Sequence, residues 1–182
     1  GDLWIRWSGA PEATLGEDGR LIADLSVAAG QGRDLTLEIS DQHLAAPVDA
    51  REAWVATRHY WADAVPTLDT CIAPRDARHA YAVLRGLTAP GGGMVAAATL
   101  GLPERAHAGR SYDYRYVWLR DQAYAGLAAS IDQAYPLMDE AVAFTIARVL
   151  EHGDQLAPAY RVDGGRLPSQ TTLSLPGYPG GT

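Results

Sequence analysis

The segment Tyr112–Asp121 reads Y-D-Y-R-Y-V-W-L-R-D and joins a strand-like pattern directly to a predicted helix start. Its aromatic side chains occupy alternate positions, so in an extended chain they would share a face. Arg120 and Asp121 follow at once, where a helix begins. Aromatic faces cover the C–H patches of a pyranose and charged groups bind its hydroxyls, so this combination suits a sugar site. Spacing alone slightly favours the alternative, a half-buried strand whose Arg and Asp cap a helix.

Helical patterns flank this segment on both sides. Apolar and aromatic residues at helical spacing predict helices over about 49–65 and 76–87 upstream, and over about 122–134 and 137–152 downstream. Pro136 lies where the last of these can begin. The run Pro90–Gly93 is predicted to be a turn, because it lacks the following Lys and Ser or Thr of a phosphate-binding loop. Met94–Ala98 is predicted to be a short buried strand or extended segment.

The first part of the chain alternates in the way that strands do. Leu3–Trp7, Leu21–Val27 and Leu35–Ile39 are separated by Gly-rich turns, which predicts an antiparallel sheet or the edge of a sandwich. Strands followed by helices indicate an α+β fold rather than alternating βαβ units.

Composition narrows the class of partner. The 182 residues are 47% hydrophobic, carry a formal charge of −7 and contain no Lys. Nucleic acid and anionic membranes need a basic face, so both are excluded as expected partners. Cys71 is the single cysteine, which excludes an internal disulfide and fits a cytoplasmic location. The five His residues show no metal-binding spacing, so neither a metal site nor a cofactor is predicted.

Several motifs in order resemble glycoside hydrolase family 15, the glucoamylase-like enzymes. Tyr112–Asp121 is similar to the W-D-Y-R-Y-C-W-L-R-D type sequence of its bacterial members. Met94–Glu104 resembles the family's V-A-A-x-T-x-x-L-P-E run, Leu156–Gly164 its L-x-x-x-Y-x-x-x-G segment, and Leu175–Tyr178 its L-P-G-Y-x-G. The set covers about half of the chain, from about Arg75 onward.

The resemblance implies a fold and a site. Residues 1–48 would be the C-terminal part of an antiparallel β-sandwich, 49–70 a linker helix, and 71–182 the first helices of an (α/α)6 barrel. The substrate would be an α-glucan, an oligosaccharide or trehalose. In the first subsite, Arg120 and Asp121 would grip the outer hydroxyls of the sugar, Tyr114 would lie near the reacting ring, and Trp118 would line the pocket.

The catalytic residues are expected outside this chain. The family hydrolyses with inversion, using one glutamic acid and one glutamate that follow the L-P-G-Y-x-G segment. Glu104 lies in the predicted L-P-E turn, and Glu140 and Glu151 are predicted to be solvated or capping. The chain is therefore expected to be an internal fragment of an exo-acting enzyme and inactive alone, with the rest of that enzyme or a second copy covering its apolar faces. Two alternatives are a non-catalytic carbohydrate-binding or assembly module, and a structural protein with accidental aromatic residues.

Overall fold

The computed structural model describes residues 2–103, 105, 109, 111–133 and 135–171. Within these residues the chain combines α-helices with small two-stranded antiparallel sheets, so the predicted mixture of helix and strand is confirmed. The chain divides between Asp63 and Ala64 into two compact units. The elements are β1 (Trp4–Ser8), β2 (Thr14–Leu15), β3 (Leu21–Ile22), β4 (Thr36–Ser40), α1 (Ala50–Ala64), α2 (Pro74–Leu87), β5 (Leu102–Pro103), β6 (Ser111–Tyr112), β7 (Val117–Trp118), α3 (Leu119–Ala129), α4 (Pro136–His152), a 3-10 turn (Gly153–Gln155) and β8 (Ala159–Tyr160).

The first unit contains an antiparallel ribbon of β1 and β4. Trp4 lies opposite Ser40, and Ser8 lies opposite Thr36. Because side chains alternate along a strand, one face of the ribbon is wholly apolar. The side chains on that face are all exposed: Ile5, Trp7, Leu37 and Ile39.

The other two strands of the first unit form a much shorter hairpin. The predicted strand Leu21–Val27 is too long, because β3 ends at Ile22. β2 offers only Thr14 and Leu15 for pairing, so the ladder stops after two residues.

Helix α1 begins where its sequence indicates. The Asp49 carboxylate accepts a hydrogen bond of 2.9 Å from the Glu52 backbone N–H, which caps the first turn. The structure buries none of the residues of α1. A helix with two Trp residues and no buried side chain exposes unusual apolar area.

The second unit is built around the contact between α3 and α4. A Cβ placed on Gly126 would lie 3.0 Å from the Ala141 Cβ, so the two helices approach closely where this glycine faces α4. Pro136 is the first residue of α4, as predicted. α3 begins three residues before the predicted 122 and ends at Ala129, where the Ser130 N–H and hydroxyl both bond to the Leu127 carbonyl.

The core of the second unit joins strand to helix. Val117 of β7, Phe144 of α4 and Tyr160 of β8 are almost wholly buried and pack together, with Leu119 and Ala157 against them. β7 and β8 pair with Val117 opposite Tyr160. This cluster holds the start of α3, since α3 follows β7 without a break.

Among the described residues, no helix has both the length and the apolar character needed to cross a membrane.

Candidate functional site

The aromatic segment is held by backbone hydrogen bonds on its upstream side. The Ala96 N–H donates to the Tyr116 carbonyl at 3.0 Å, and the Ala97 N–H donates to the Tyr114 carbonyl at 3.1 Å. The Tyr114 N–H in turn donates to the Thr99 carbonyl at 3.0 Å. Met94–Ala98 therefore lies beside the aromatic segment without forming a regular strand, and only Met94 is buried, so the predicted buried strand is not what forms there.

Regular strand occupies only the two ends of the aromatic segment. Strand β6 pairs with β5, β7 pairs with β8, and the chain bends at Tyr116 between them. The rings associate as neighbouring pairs. Tyr112 and Tyr114 meet edge to face with centroids 6.4 Å apart, and Tyr116 and Trp118 are tilted with centroids also 6.4 Å apart.

Arg120 and Asp121 lie in the first turn of α3, directly after Trp118. Trp118 occupies the N-cap position, and no side chain caps the helix. Asp121 therefore does not cap α3 by a side-chain hydrogen bond, which was the alternative that spacing alone suggested. Its carboxylate still interacts favourably with the positive end of the helix dipole, because it lies in the first turn. The structure therefore puts Trp118, Arg120 and Asp121 together at one end of α3, while Tyr114 lies in the preceding extended segment.

Arg120 and Asp121 form an ion pair that leaves one carboxylate oxygen without a hydrogen bond among the described residues. The Arg120 Nη2 lies 3.1 Å from the Asp121 Oδ2, and the Arg120 side chain is 74% exposed whereas that of Asp121 is 35% exposed. The Asp121 Oδ2 is itself buried, yet no donor among the described residues forms a hydrogen bond with it. The 3.1 Å contact has the distance of an ion pair without hydrogen-bond geometry, so this oxygen keeps unused acceptor capacity.

A second acid–base pair stiffens the segment upstream. Arg115 donates to Asp113 from its backbone N–H at 3.0 Å and from its guanidinium at 3.0 and 2.9 Å. These side-chain hydrogen bonds lower the pKa of Asp113 below the ordinary carboxyl value. The pair restrains the backbone on either side of Tyr114, because this is the one residue between its two members.

Sequence reasoning missed Gln122, which follows Asp121. Its side chain is 1% exposed, accepts a 2.8 Å hydrogen bond from the Met94 N–H and donates a 2.6 Å hydrogen bond to the Gly92 carbonyl. A glutamine near the start of a predicted helix looks like any other polar helical residue. Its hydrogen-bond partners are about thirty residues away in the sequence, so no local pattern reveals them. Only the fold brings them together.

The turn at Pro90–Gly93 is confirmed, and two of its glycines, Gly92 and Gly93, are required for packing. Gly92 has a φ of 82°, and a Cβ there would lie 2.4 Å from the Glu140 carbonyl oxygen. A Cβ on Gly93 would lie 2.8 Å from the Phe144 ring. This glycine turn therefore contacts α4 directly, and it contacts α3 through Gln122.

The expected solvated role of Glu140 is wrong. The Arg85 Nη1 lies 2.6 and 2.7 Å from the two carboxylate oxygens of Glu140, and both side chains are more than half buried. The pair links α2 to α4. Glu151 is 56% exposed and pairs with Arg148 at 2.9 Å within α4, as an exposed helical residue would.

Two further features of the sequence are its possible metal ligands and its outlying motifs. Among the residues that the structure describes, no three His, Cys, Asp or Glu side chains come together as a metal site requires. Glu104 and the Leu175–Tyr178 motif lie outside the described residues.

The chain matches the family described as "Glycosyl hydrolases family 15" over residues 77–182, and it belongs to that family. It is 33% identical over 139 residues to Trehalase 1 of Sulfolobus acidocaldarius, covering 71% of this chain and 23% of that protein. It is also 32% identical over 91 residues to the trehalase of Thermoplasma acidophilum, covering 50% of this chain and 16% of that protein.

The mycobacterial similarity covers fewer residues at a higher identity. The chain is 49% identical over 43 residues to the trehalase of Mycobacterium tuberculosis, covering 23% of this chain and 6% of that protein. Thus the chain spans less than a quarter of the length of each of these relatives. No solved structure matches the chain significantly.

Proposed function

We propose that this chain supplies the first sugar subsite of an inverting, exo-acting glycoside hydrolase that releases glucose from α-glucosides. Membership in glycosyl hydrolase family 15 supports the reaction class. The trehalase relatives support trehalose or a related α-glucoside as substrate, among the α-glucans and oligosaccharides that the family resemblance allows.

The observation that carries the proposal is the buried Asp121 Oδ2. A buried carboxylate oxygen without a hydrogen bond is costly, since folding removed its water and supplied no other donor among the described residues. A sugar hydroxyl is a donor of suitable size. Its binding would satisfy this oxygen and would be strong, because the acceptor is charged.

The neighbouring side chains suit the same ligand. Arg120 is exposed and therefore reachable, and its guanidinium can donate to the hydroxyls that flank the one held by Asp121. Trp118 precedes this pair and would line the pocket with its ring. Tyr114, which the chain places in the adjacent extended segment, would lie near the reacting sugar ring.

Cleavage requires residues beyond those of this subsite. We assign the acid and base glutamates to a part of the enzyme outside this chain, so that the chain alone binds sugar without hydrolysing it. In the same proposal, residues 1–48 are part of a β-sandwich, 49–70 a linker helix, and 71–182 the beginning of an (α/α)6 barrel. The lone Cys71 favours a cytoplasmic location for the enzyme.

An exposed apolar face of α4 supports the proposal that another chain or domain packs against this one. The outer face of α4 carries Val142, Ile146, Val149 and Leu150, all exposed and recurring at helical spacing. Since the opposite face of α4 is already packed through Ala141 and Phe144, the helix is apolar on both sides. We propose that the rest of the enzyme, or a second copy of the chain, covers this face. Sedimentation of the isolated chain should then show association, and a strictly monomeric chain would contradict this.

The proposed subsite is tested by Arg120→Ala in the complete enzyme that contains this chain. Loss of charged hydrogen bonds that strengthen in the transition state should cost about 2–4 kcal/mol, which lowers kcat/KM by about 30- to 1000-fold. Glucose release from trehalose gives the rate, and NMR of the first anomer formed gives the stereochemistry. Arg115→Ala is the matched control, because Arg115 lies in the same segment and binds Asp113 instead.

The outcomes separate the candidate functions. Near-normal turnover by Arg120→Ala on every α-glucoside that the enzyme accepts would remove Arg120 from the site. A wild-type protein that binds trehalose but cleaves no α-glucoside would favour the alternative of a non-catalytic carbohydrate-binding module. Retention of the anomeric configuration would contradict the inverting mechanism.

A further inference from the structure

Gln122 is a buried amide directly beside the proposed subsite. Among the described residues it is the single polar side chain in the buried core, at 1% exposure. A buried amide is tolerated when its donor and its acceptor are both paired. Here the Oε1 accepts from the Met94 N–H at 2.8 Å and the Nε2 donates to the Gly92 carbonyl at 2.6 Å. The two backbone partners fix which end of the amide is oxygen, since one is a donor and the other an acceptor.

The segment that Gln122 binds also holds the other side of the subsite. Residues 92–94 bond to α3 through Gln122, and Ala96 and Ala97 bond to the aromatic segment through Tyr116 and Tyr114. One continuous stretch of backbone therefore contacts the chain both before and after Arg120 and Asp121. The distance between the aromatic wall and the charged pair is set through this stretch.

The stretch cannot easily shift. The Gly92 and Gly93 backbones already approach α4 so closely that a Cβ would meet the Glu140 carbonyl or the Phe144 ring. The space enclosed by this turn, Gln122 and the facing side of α4 has no room for a water molecule. While the side chain of Gln122 is in place, water therefore cannot enter to share or replace its two hydrogen bonds.

We propose that Gln122 is a positioning residue of the sugar site, which sets the orientation of Arg120 and Asp121 relative to Tyr114 and Trp118 by tying α3 to the glycine turn. This inference rests on the proposed function. Gln122 is buried and so does not touch sugar. Its loss should impair the sugar site beyond any general loss of stability.

The test compares Gln122→Met with a control that destabilises the same unit elsewhere. Methionine has a similar length and keeps the packing, but it leaves the Met94 N–H and the Gly92 carbonyl unpaired. Tyr81→Leu is the control, because Tyr81 is buried in α2 and packs edge to face on Tyr135, away from the aromatic segment in sequence. Both are measured in the complete enzyme, at a temperature where circular dichroism shows full folding.

Small displacements of reacting groups cost rate steeply, so kcat/KM for trehalose should fall by about 10- to 100-fold in Gln122→Met. Tyr81→Leu should stay within about 3-fold of wild type, because Tyr81 contacts Tyr135 and Leu137 and none of the four residues of the proposed subsite among the described residues. Equal losses in the two variants would reduce Gln122 to a stabilising residue and overturn the inference. Unchanged kcat/KM in Gln122→Met would do the same.

Gln122→Glu provides a second test that survives a failure of Gln122→Met to fold. Its ionised carboxylate can accept from Met94 but repels the Gly92 carbonyl, whereas the protonated form can donate to it. Activity relative to wild type at each pH should therefore rise as the pH falls. A ratio that does not change with pH would contradict the proposal.

Two failures can be told apart. If wild-type enzyme cleaves no α-glucoside, the proposed function falls and the role of Gln122 falls with it. If the wild type is active and Gln122→Met is equally active, only the inference about Gln122 falls.

Discussion

Replacing Gly92 by Ala tests whether the glycine turn is as tightly constrained as the structure indicates. Gly92 has a φ of 82°, in the left-handed region that favours glycine. A Cβ at this position would lie 2.4 Å from the Glu140 carbonyl oxygen and 3.0 Å from its carbonyl carbon. These are backbone atoms inside α4, so they cannot rotate away as the end of a long side chain could.

The expected destabilisation follows from three opposing effects. The left-handed backbone costs an L-residue about 1–2 kcal/mol, and overpacking against α4 costs about 1–3 kcal/mol. Alanine also restricts the unfolded chain, which returns about 0.4–1 kcal/mol. We therefore expect Gly92→Ala to lower the free energy of unfolding by about 1–4.6 kcal/mol, or the urea midpoint by about 0.5–2.3 M at a typical dependence of about 2 kcal/mol per molar.

Gly91→Ala is a matched control one residue away. A Cβ at Gly91 would have its nearest neighbour at 3.8 Å, the Val162 carbonyl oxygen, and Gly91 is not among the positive-φ glycines. Only the effect on the unfolded chain then applies, so Gly91→Ala should be neutral or stabilising by about 0.4–1 kcal/mol. Urea denaturation followed by circular dichroism measures both variants. Equal midpoints for the two would refute the argument that contact with α4 constrains this turn.

Two further predictions concern ion pairs. Arg85 and Glu140 should show a coupling of about 1–3 kcal/mol in a double-mutant cycle of Arg85→Met and Glu140→Gln, measured by urea denaturation, because the pair is largely buried; additive effects would contradict this. Asp113 should titrate below the ordinary carboxyl pKa of about 3.9 when followed by carboxyl NMR, chiefly because Arg115 donates to it. A lowered folded pKa means that the pair stabilises the fold fully above the ordinary pKa and loses this as the pH falls through the folded value. Arg115→Ala should return the pKa of Asp113 towards about 3.9, and an unchanged low value would identify another cause.

Local sequence patterns predicted the elements of this protein well. Helix boundaries depend on neighbouring residues, so Pro136 indicated the start of α4, and helical spacing placed the start of α1 at about residue 49, next to Ala50. The start of α3 was placed within a few residues. The strand Leu21–Val27 was predicted too long, because the length of a strand depends on its partner and β2 is only two residues long. The alternation of apolar and polar residues in one strand does not indicate how long the strand paired with it will be.

By itself the sequence determined that Trp118, Arg120 and Asp121 would lie together where a strand becomes a helix, because residues this close in the chain stay close in any fold. The same sequence could not separate a sugar-binding pair from a helix cap. That depends on whether other parts of the chain satisfy the Asp121 carboxylate, and those parts are distant in sequence.

Only the tertiary structure decided the roles of Gln122 and Glu140. Each is bound by groups roughly thirty or more residues away, Gln122 by the glycine turn and Glu140 by Arg85. Composition made both residues look like ordinary surface polar side chains. The fold buries Gln122 almost completely, and the contact between α2 and α4 partly buries Glu140, so each polar group finds its partners within the fold.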